Sequence, residues 1–337
     1  MVDKRKSRTF MSDLRFPRVL VVGGTGFLGW HAVQEFVRRA YRVRVLALPP
    51  LPAADLFPPH VDVQLHDVNA LSDEALTRLL AGQDALVFAA GVDDRVLPPR
   101  PAYPFFRQGN VLGPARLFRL ARQAGVRRAV LLSSYFVHFA RLWPNQKLGE
   151  RHPYIRSRLE QIQACLQAAE PDMEVITLGL PYIFGAMPGR IPLWKPLIDY
   201  LRAFRIVLYP RGGTACVSVQ SVAQAIVGAV ERGQHGAFYL IGDENLTWRQ
   251  MLLGLAKAMG RERLIISLPN SLVRLLLLLV KGWHALQGKE SGLDPLHLAE
   301  IQTAQTFFDP EPARRALGFT QGDLQRAFAE TVAACFA

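Results

Sequence analysis

Arg18-Val19-Leu20-Val21-Val22-Gly23-Gly24-Thr25-Gly26-Phe27-Leu28-Gly29-Trp30 is the stretch whose reading decides the fold. An apolar run that enters a glycine cluster predicts a buried strand, a tight turn and a helix. Gly24, Gly26 and Gly29 have dinucleotide-loop spacing, and Gly23, Gly26 and Gly29 have a wider version of it. The first glycines permit positive φ, Gly26 lets backbone approach a pyrophosphate, and Gly29 lets helix pack closely on strand. Free N–H groups at the helix start, around Thr25, Phe27 and Leu28, would face the phosphates.

Working outward, the chain has 337 residues, half of them hydrophobic, which is enough for a large core and excludes general disorder. Forty Lys and Arg against 28 Asp and Glu leave a net charge of +12. That balance favours anionic partners, but the arginines are scattered and no nucleic-acid-binding motif accompanies them. Lys4, Arg5, Lys6 and Arg8 mark a basic tail at 1–15 with no apolar signal-peptide core. Cys165, Cys216 and Cys335 are too few for a disulfide framework or a metal site, so a reducing, cytoplasmic setting is expected, with no metal. The most apolar run, Leu275–Val280, is bracketed by Arg274 and Lys281 and is too short to span a bilayer. Residues 270–286 are read either as core or lid, or as a peripheral membrane contact. A homodimer is left open.

Strands and helices alternate through the first half as in a parallel sheet with crossovers. Strands are expected at 42–48, 61–65, 85–90, 128–133 and 174–178, with helices at 73–81, 105–124 and 154–169. Beyond Gly179, closely spaced prolines and glycines signal a cap. A helix at 221–231 and a strand at 237–241 would return to the main sheet, followed by helices at 247–259, 270–286 and 322–336. The expected class is α/β: a Rossmann-type doubly wound sheet from 16–178 plus 214–243, with a mixed cap from 179–213 plus 244–337.

Ligands of such sheets collect at the carboxyl ends of the strands. Asp67, after the third strand, could accept from an adenine amino group or equally cap its own turn. Ala89, Ala90 and Gly91 end the fourth strand with the small side chains that a cofactor crossing the sheet, or close packing, requires. Ser133-Ser134 ends the fifth, and Tyr154 opens the next helix with Arg158 one turn on. A phenol is a poor acid or base at neutral pH unless a cation stabilises its phenolate. Arg158 would be that cation, with Ser134 holding a substrate oxygen and Tyr154 passing the proton. His31, His138 and His152 have no second metal ligand at useful spacing.

Gly23-Gly24-Thr25-Gly26-Phe27-Leu28-Gly29, Asp67-Val68, Asp84 through Gly91, Asn110-Val111-Leu112-Gly113, Ser133-Ser134, Tyr154-x-x-x-Arg158 and Pro181-Tyr182-Ile183-Phe184-Gly185 occur in the order of extended short-chain dehydrogenase/reductases. The chain resembles that family over roughly 18–320, to the Phe308-Asp309-Pro310 and Leu317-Gly318-Phe319 signature, and most resembles its 3β-hydroxysteroid dehydrogenase and dihydroflavonol reductase branch. The resemblance implies that the glycines cradle an NAD(P) pyrophosphate and that Asp67 and Val68 contact adenine. Ser134 and Tyr154 would be the catalytic pair, Asn110 the helix asparagine near the site, and Pro181, Ile183 and Gly185 neighbours of the nicotinamide.

Three departures shape the expectation. Arg158 stands where the family has lysine and keeps the charge without a ready proton relay. Ala47, Leu48 and Pro49 end the second strand with no carboxylate to repel a 2′-phosphate, which tips the choice between NAD(H) and NADP(H) towards NADP(H). Gly179, Gln220 and Ser221 replace polar groups that sugar-nucleotide enzymes use. The expected activity is ketone and secondary-alcohol interconversion on a bulky apolar substrate such as a steroid, isoprenoid or polyketide. The rivals are an NAD(P)-binding sensor or assembly protein that has lost turnover, and a sugar-nucleotide epimerase or dehydratase.

Overall fold

The computed structural model describes residues 17–336, so the basic tail expected at 1–15 lies outside the described residues. In chain order the strands are β1 (Arg18–Val22), β2 (Arg42–Ala47), β3 (Asp62–Leu65), β4 (Ala85–Phe88), β5 (Arg128–Ser134), β6 (Glu174–Leu180), β7 (Tyr182–Phe184), β8 (Ile206–Pro210), β9 (Gly213–Ser218), β10 (Phe238–Leu240), β11 (Glu244–Thr247), β12 (Leu264–Leu268) and β13 (Gln305–Thr306). Seven of them make one sheet in the order β10-β6-β5-β4-β1-β2-β3, every pair parallel. This is the doubly wound α/β sheet expected from the alternating pattern, with β10 added at one edge.

Strand residues alternate between two apolar layers, as a sheet covered on both faces demands. Val19, Val21, Val45, Val87 and Val130 pack against Ala32, Val33 and Phe36 of the Phe27–Arg38 helix and Ile226 and Val230 of the Val219–Arg232 helix. Leu20, Val22, Leu46, Leu86 and Leu131 pack on the other side against Leu76, Leu80, Leu117, Phe118 and Ile162. The strand order reverses between β1 and β4, which opens the crevice where ligands of such sheets bind.

The single helix expected at 105–124 is three segments: α-helix at Ala102–Arg107, a π-helical turn at Gln108–Leu112, and α-helix again at Gly113–Gln123. Pro114 has no N–H for an α-type bond, and the wider turn before it absorbs that missing link.

Past β6 the chain builds a smaller sheet, β11-β9-β13 with β7 beside β9, and a separate parallel ribbon of β8 and β12. Of the 214–243 return segment, 214–218 belongs to this smaller sheet, and only the Val219–Arg232 helix and β10 rejoin the large one. Thr247 caps the Trp248–Ala258 helix through a reciprocal capping box with Gln250. Asn270–Leu286 is a 17-residue helix, and no helix among the described residues is long and apolar enough to cross a membrane.

Candidate dinucleotide and catalytic site

The glycine turn is built by close approach. Gly23 has φ +81°, and a Cβ there would sit 2.9 Å from the Ala90 nitrogen, so the ends of β1 and β4 touch at this point. A Cβ on Gly29 would lie 2.2 Å from the Gly23 carbonyl oxygen, a backbone clash that no rotamer relieves. Gly26 precedes the Phe27–Arg38 helix with no side-chain cap, and no acidic residue stands in the first turn. The helix therefore presents its first-turn N–H groups and positive end without competition, as a pyrophosphate requires. Gly23, Thr25, Gly26, Phe27, Leu28 and Gly29 thus lie together, beside Ala89, Ala90 and Gly91.

A basic residue that no motif had marked joins them. Arg190 donates from Nε to the Thr25 carbonyl at 3.1 Å. It arrives on the loop after β7, which folds back over the glycine turn. His31 meets the Ala186 carbonyl at 2.8 Å, and a Cβ on Gly185 would reach within 3.5 Å of the Phe27 ring. The Pro181–Gly185 segment is thereby held against the turn, and the Ile183 carbonyl accepts from Trp194 Nε1 at 2.8 Å. The sequence signal for Arg190 was weak: a Gly-Arg pair soon after that segment.

At the other end of the crevice, Asp67 is exposed and one carboxylate oxygen already accepts from the Asn69 N–H at 2.9 Å, closing its own turn. The second oxygen accepts no hydrogen bond among the described residues. The Val68 carbonyl accepts from Arg116 at 3.2 Å. Beyond buried Ala47, Leu48 is 61 % exposed at the tip of β2, an apolar surface where a ribose-reading carboxylate would otherwise stand.

The catalytic helix, Pro153–Ala169, is positioned from the π turn. Fully buried Asn110 accepts from the Val92 N–H at 2.7 Å and donates to the Val92 carbonyl at 3.2 Å and to Ser157 Oγ at 3.1 Å. Ser157 in turn donates to the Tyr154 carbonyl at 2.7 Å. Arg158 donates to Gln161 at 3.0 Å and to the Val92 carbonyl at 3.3 Å, and its guanidinium carbon lies 5.1 Å from the Tyr154 ring centre. Its Nε is buried without a hydrogen-bond partner among the described residues. Ser134 is buried at the end of β5, where its Oγ accepts from the Phe136 N–H at 3.2 Å. Its hydroxyl proton is left to donate.

One expectation is corrected. Arg158 does pull the Tyr154 phenol down, but burial is the larger effect, and with Asp94 and Asp93 it leaves the phenol above its ordinary value. In the protein alone the tyrosine is a firmly protonated donor. Asp94 is a residue that motif reading passed over. Burial, reinforced by Asp93, pushes its carboxyl up to about 6 against the opposing pull of Arg95 and Arg158. Burial raises the Tyr135 and Tyr182 phenols, and the Asp94 carboxylate adds to that in the same direction. A plain Val-Asp-Asp-Arg run is the only mark it leaves in the sequence.

Around Tyr154 the walls are aromatic. Phe106 meets its ring edge-on at 5.9 Å, and Tyr135, Phe139, Phe308 and Leu293 belong to the same buried cluster. The Tyr135 hydroxyl is tied to Thr214 at 2.8 Å, so it is structural. His152 accepts the Asp294 N–H at 2.9 Å and, lowered by burial to about 4, stays neutral. Among the described residues no group of three His, Cys, Asp or Glu could hold a metal.

A doubly wound sheet with this glycine turn and a buried Tyr–Arg pair at its carboxyl edge defines a dinucleotide-binding oxidoreductase. The model of the NAD dependent epimerase/dehydratase family matches residues 19–242, and the chain belongs to that family, the extended short-chain dehydrogenase/reductases. It is 27 % identical over 315 residues to the 4-hydroxy-2-methyl-3-oxo-4-farnesyl-3,4-dihydroquinoline-1-oxide ketoreductase of Stigmatella aurantiaca, covering 90 % of this chain and 91 % of that one. It is 25 % identical over 324 residues to the decarboxylating sterol-4-alpha-carboxylate 3-dehydrogenase of Mus musculus, covering 89 % and 85 %. The crystal structure of gox2253 shares the fold with a TM-score of 0.76 at 22 % identity, over 94 % of this chain and 97 % of that one.

Proposed function

We propose that this enzyme interconverts a ketone and a secondary alcohol on a bulky apolar substrate, with Tyr154 as proton donor and acceptor. The observation that carries the reading is the Tyr154 phenol, held between the Arg158 guanidinium and an aromatic wall at the carboxyl edge of the sheet. A nicotinamide dinucleotide, when bound, supplies or accepts the hydride. Gly23, Gly26 and Gly29 would admit its pyrophosphate, with Arg190 adding a cation beside the turn. Arg158, beside Tyr154 where the family has lysine, would hold the ribose.

In the reducing direction, Ser134 donates a hydrogen bond to the ketone oxygen and Tyr154 delivers the proton that converts the developing alkoxide to alcohol. A buried phenol is well suited to hold that proton until negative charge appears on the substrate. Arg158 then stabilises the phenolate left behind. The aromatic cluster excludes water and favours a ring-bearing or prenylated substrate. The two relatives support this by name, one a ketoreductase of a farnesylated quinoline and one a sterol dehydrogenase. The apolar tip of β2 and Arg190 support NADP(H) over NAD(H). The cofactor is assigned to 16–178 with the Val219–Arg232 helix and β10, and the substrate to the remaining cap.

The test is calorimetric titration with NADPH and NADH, then turnover of a panel of apolar ketones followed by nicotinamide absorbance. Tyr154→Phe should lower kcat by about 10²–10⁴-fold with cofactor affinity unchanged. Absence of affinity for either coenzyme ends the proposal. Binding without turnover, unchanged by Arg158→Lys, would instead favour the sensor or assembly reading.

A further inference from the structure

The Asn270–Leu286 helix is apolar almost all the way round, yet it buries only a narrow stripe. Val273, Leu277, Lys281 and His284 are its buried and half-buried positions, and the helix packs on the Pro295–Thr303 helix. Leu275, Leu276, Leu279, Trp283 and Leu286 are exposed, Leu279 by 64 %, Trp283 by 62 % and Leu286 by 84 %. Pro269 alone joins this helix to β12, whose ribbon with β8 repeats the pattern. Val207 and Ile265 are paired and buried, whereas the flanking pairs Ile206 with Leu264 and Leu208 with Ile266 are exposed. An apolar surface of this extent is not left to water in a protein that acts alone.

Charge decides what covers it. Segments 202–211 and 257–289 carry nine Lys and Arg against a single carboxylate, Glu262. Arg274 and Lys281 pair with Glu300 and Asp294, and the other seven cations have no carboxylate partner among the described residues. A second copy laid on this face would bring two such sets of cations together. An anionic surface would not. The helix is 17 residues, about 25 Å at 1.5 Å per residue, which is short of a hydrocarbon core of about 30 Å.

We propose that this helix and the adjoining β8–β12 ribbon dock the protein on an anionic lipid bilayer, lying in its surface with the leucines and Trp283 among the acyl chains and the cations at the headgroups. The docking face is stitched to the candidate active site. The Gly288 carbonyl accepts from Arg100 N–H at 3.0 Å, Glu290 accepts from Ala102 N–H at 2.7 Å, and the Gly292 carbonyl accepts from Tyr154 N–H at 2.9 Å. Six residues beyond the helix end, the chain touches the tyrosine. If the reading of Tyr154 holds, an apolar substrate dissolved in the bilayer would enter beside it.

The test is cosedimentation of the full chain with vesicles of phosphatidylcholine containing about 30 % phosphatidylglycerol, with pure phosphatidylcholine vesicles as reference. The protein is expected to pellet with the anionic vesicles, to be released by high salt, and to stay in solution with the neutral ones. Leu279→Glu together with Trp283→Glu, at exposed positions that leave the melting temperature in place, should weaken partitioning by about tenfold or more. Three results would each overturn the proposal: no pelleting with anionic vesicles, equal pelleting with neutral ones, or a double variant that binds as well as the parent. So would a solution dimer that the double variant dissociates, since the covering partner is then a second copy. Sedimentation reads docking without turnover, so failure of the catalytic reading leaves this test standing.

Discussion

Replacing Asp94 with asparagine should stabilise the protein at alkaline pH and leave it unchanged in mild acid. The loop carrying Asp94 is pinned by the two bonds of Asn110 to Val92, so the carboxyl cannot swing freely into water. Burial and Asp93 raise it from 3.8 to about 6. At about 1.4 kcal/mol per pH unit of displacement, the ionised form costs the fold up to about 3 kcal/mol. The sign follows from proton counting. Between pH 4 and 6 the folded protein holds a proton that the unfolded chain has released, so stability falls as pH rises through that window and stays lower above it. Asn has no charge to desolvate. Urea unfolding at about pH 4 should therefore give equal stabilities, and at about pH 8 the Asp94→Asn variant should be more stable by about 1–3 kcal/mol. The Tyr154 limb of the pH–rate profile should also move down, because an anion that raises the phenol is gone. A gain of the same size at both pH values, or a loss at pH 8, would refute the reasoning.

Arg158→Leu should lower kcat/KM by about 10²-fold or more by removing the cation from the phenolate, whereas Arg158→Lys should stay within about tenfold. Stopped-flow turnover of the best ketone found in the panel measures both. Gly29→Ala should destabilise by about 1–3 kcal/mol in thermal unfolding, and dinucleotide affinity measured by calorimetry should fall with it, because its new methyl meets backbone at 2.2 Å. Thr247→Ala, which removes the hydroxyl that accepts from the Gln250 N–H and leaves the backbone half of the capping box, should cost about 1 kcal/mol in urea unfolding with turnover intact.

Where local chemistry determines geometry, reading the chain in one dimension sufficed. The alternating Val and Leu of β1, the glycine spacing and the Thr247 cap each depend on neighbours a few residues away, and each is found in place. The β8–β12 ribbon and β13 were missed because their pairing depends on partners tens of residues distant and their strands are short or mostly exposed. Arg190 and Asp94 escaped for a related reason. A loop residue acquires its role from what the fold brings against it, here the Thr25 carbonyl and three tyrosines. Tyr154 and Arg158 were visible as a pair because one helical turn separates them, but the balance between burial and guanidinium is a property of the packed interior. Leu275–Val280 was legible as apolar, and only the structure showed it facing outward.

The π turn at Gln108–Leu112 has a consequence for tolerance to deletion. Such a turn amounts to one surplus residue in an otherwise regular helix. Losing any one of those five would let the rod run straight through, at the expense of rotating Ala102–Arg107 by about 100° relative to Gly113–Gln123. Asn110 would then point away from Val92 and Ser157, and the loop, the tyrosine and the guanidinium would lose their common anchor. A single-codon deletion there should yield a soluble, well-folded chain with an idle cleft.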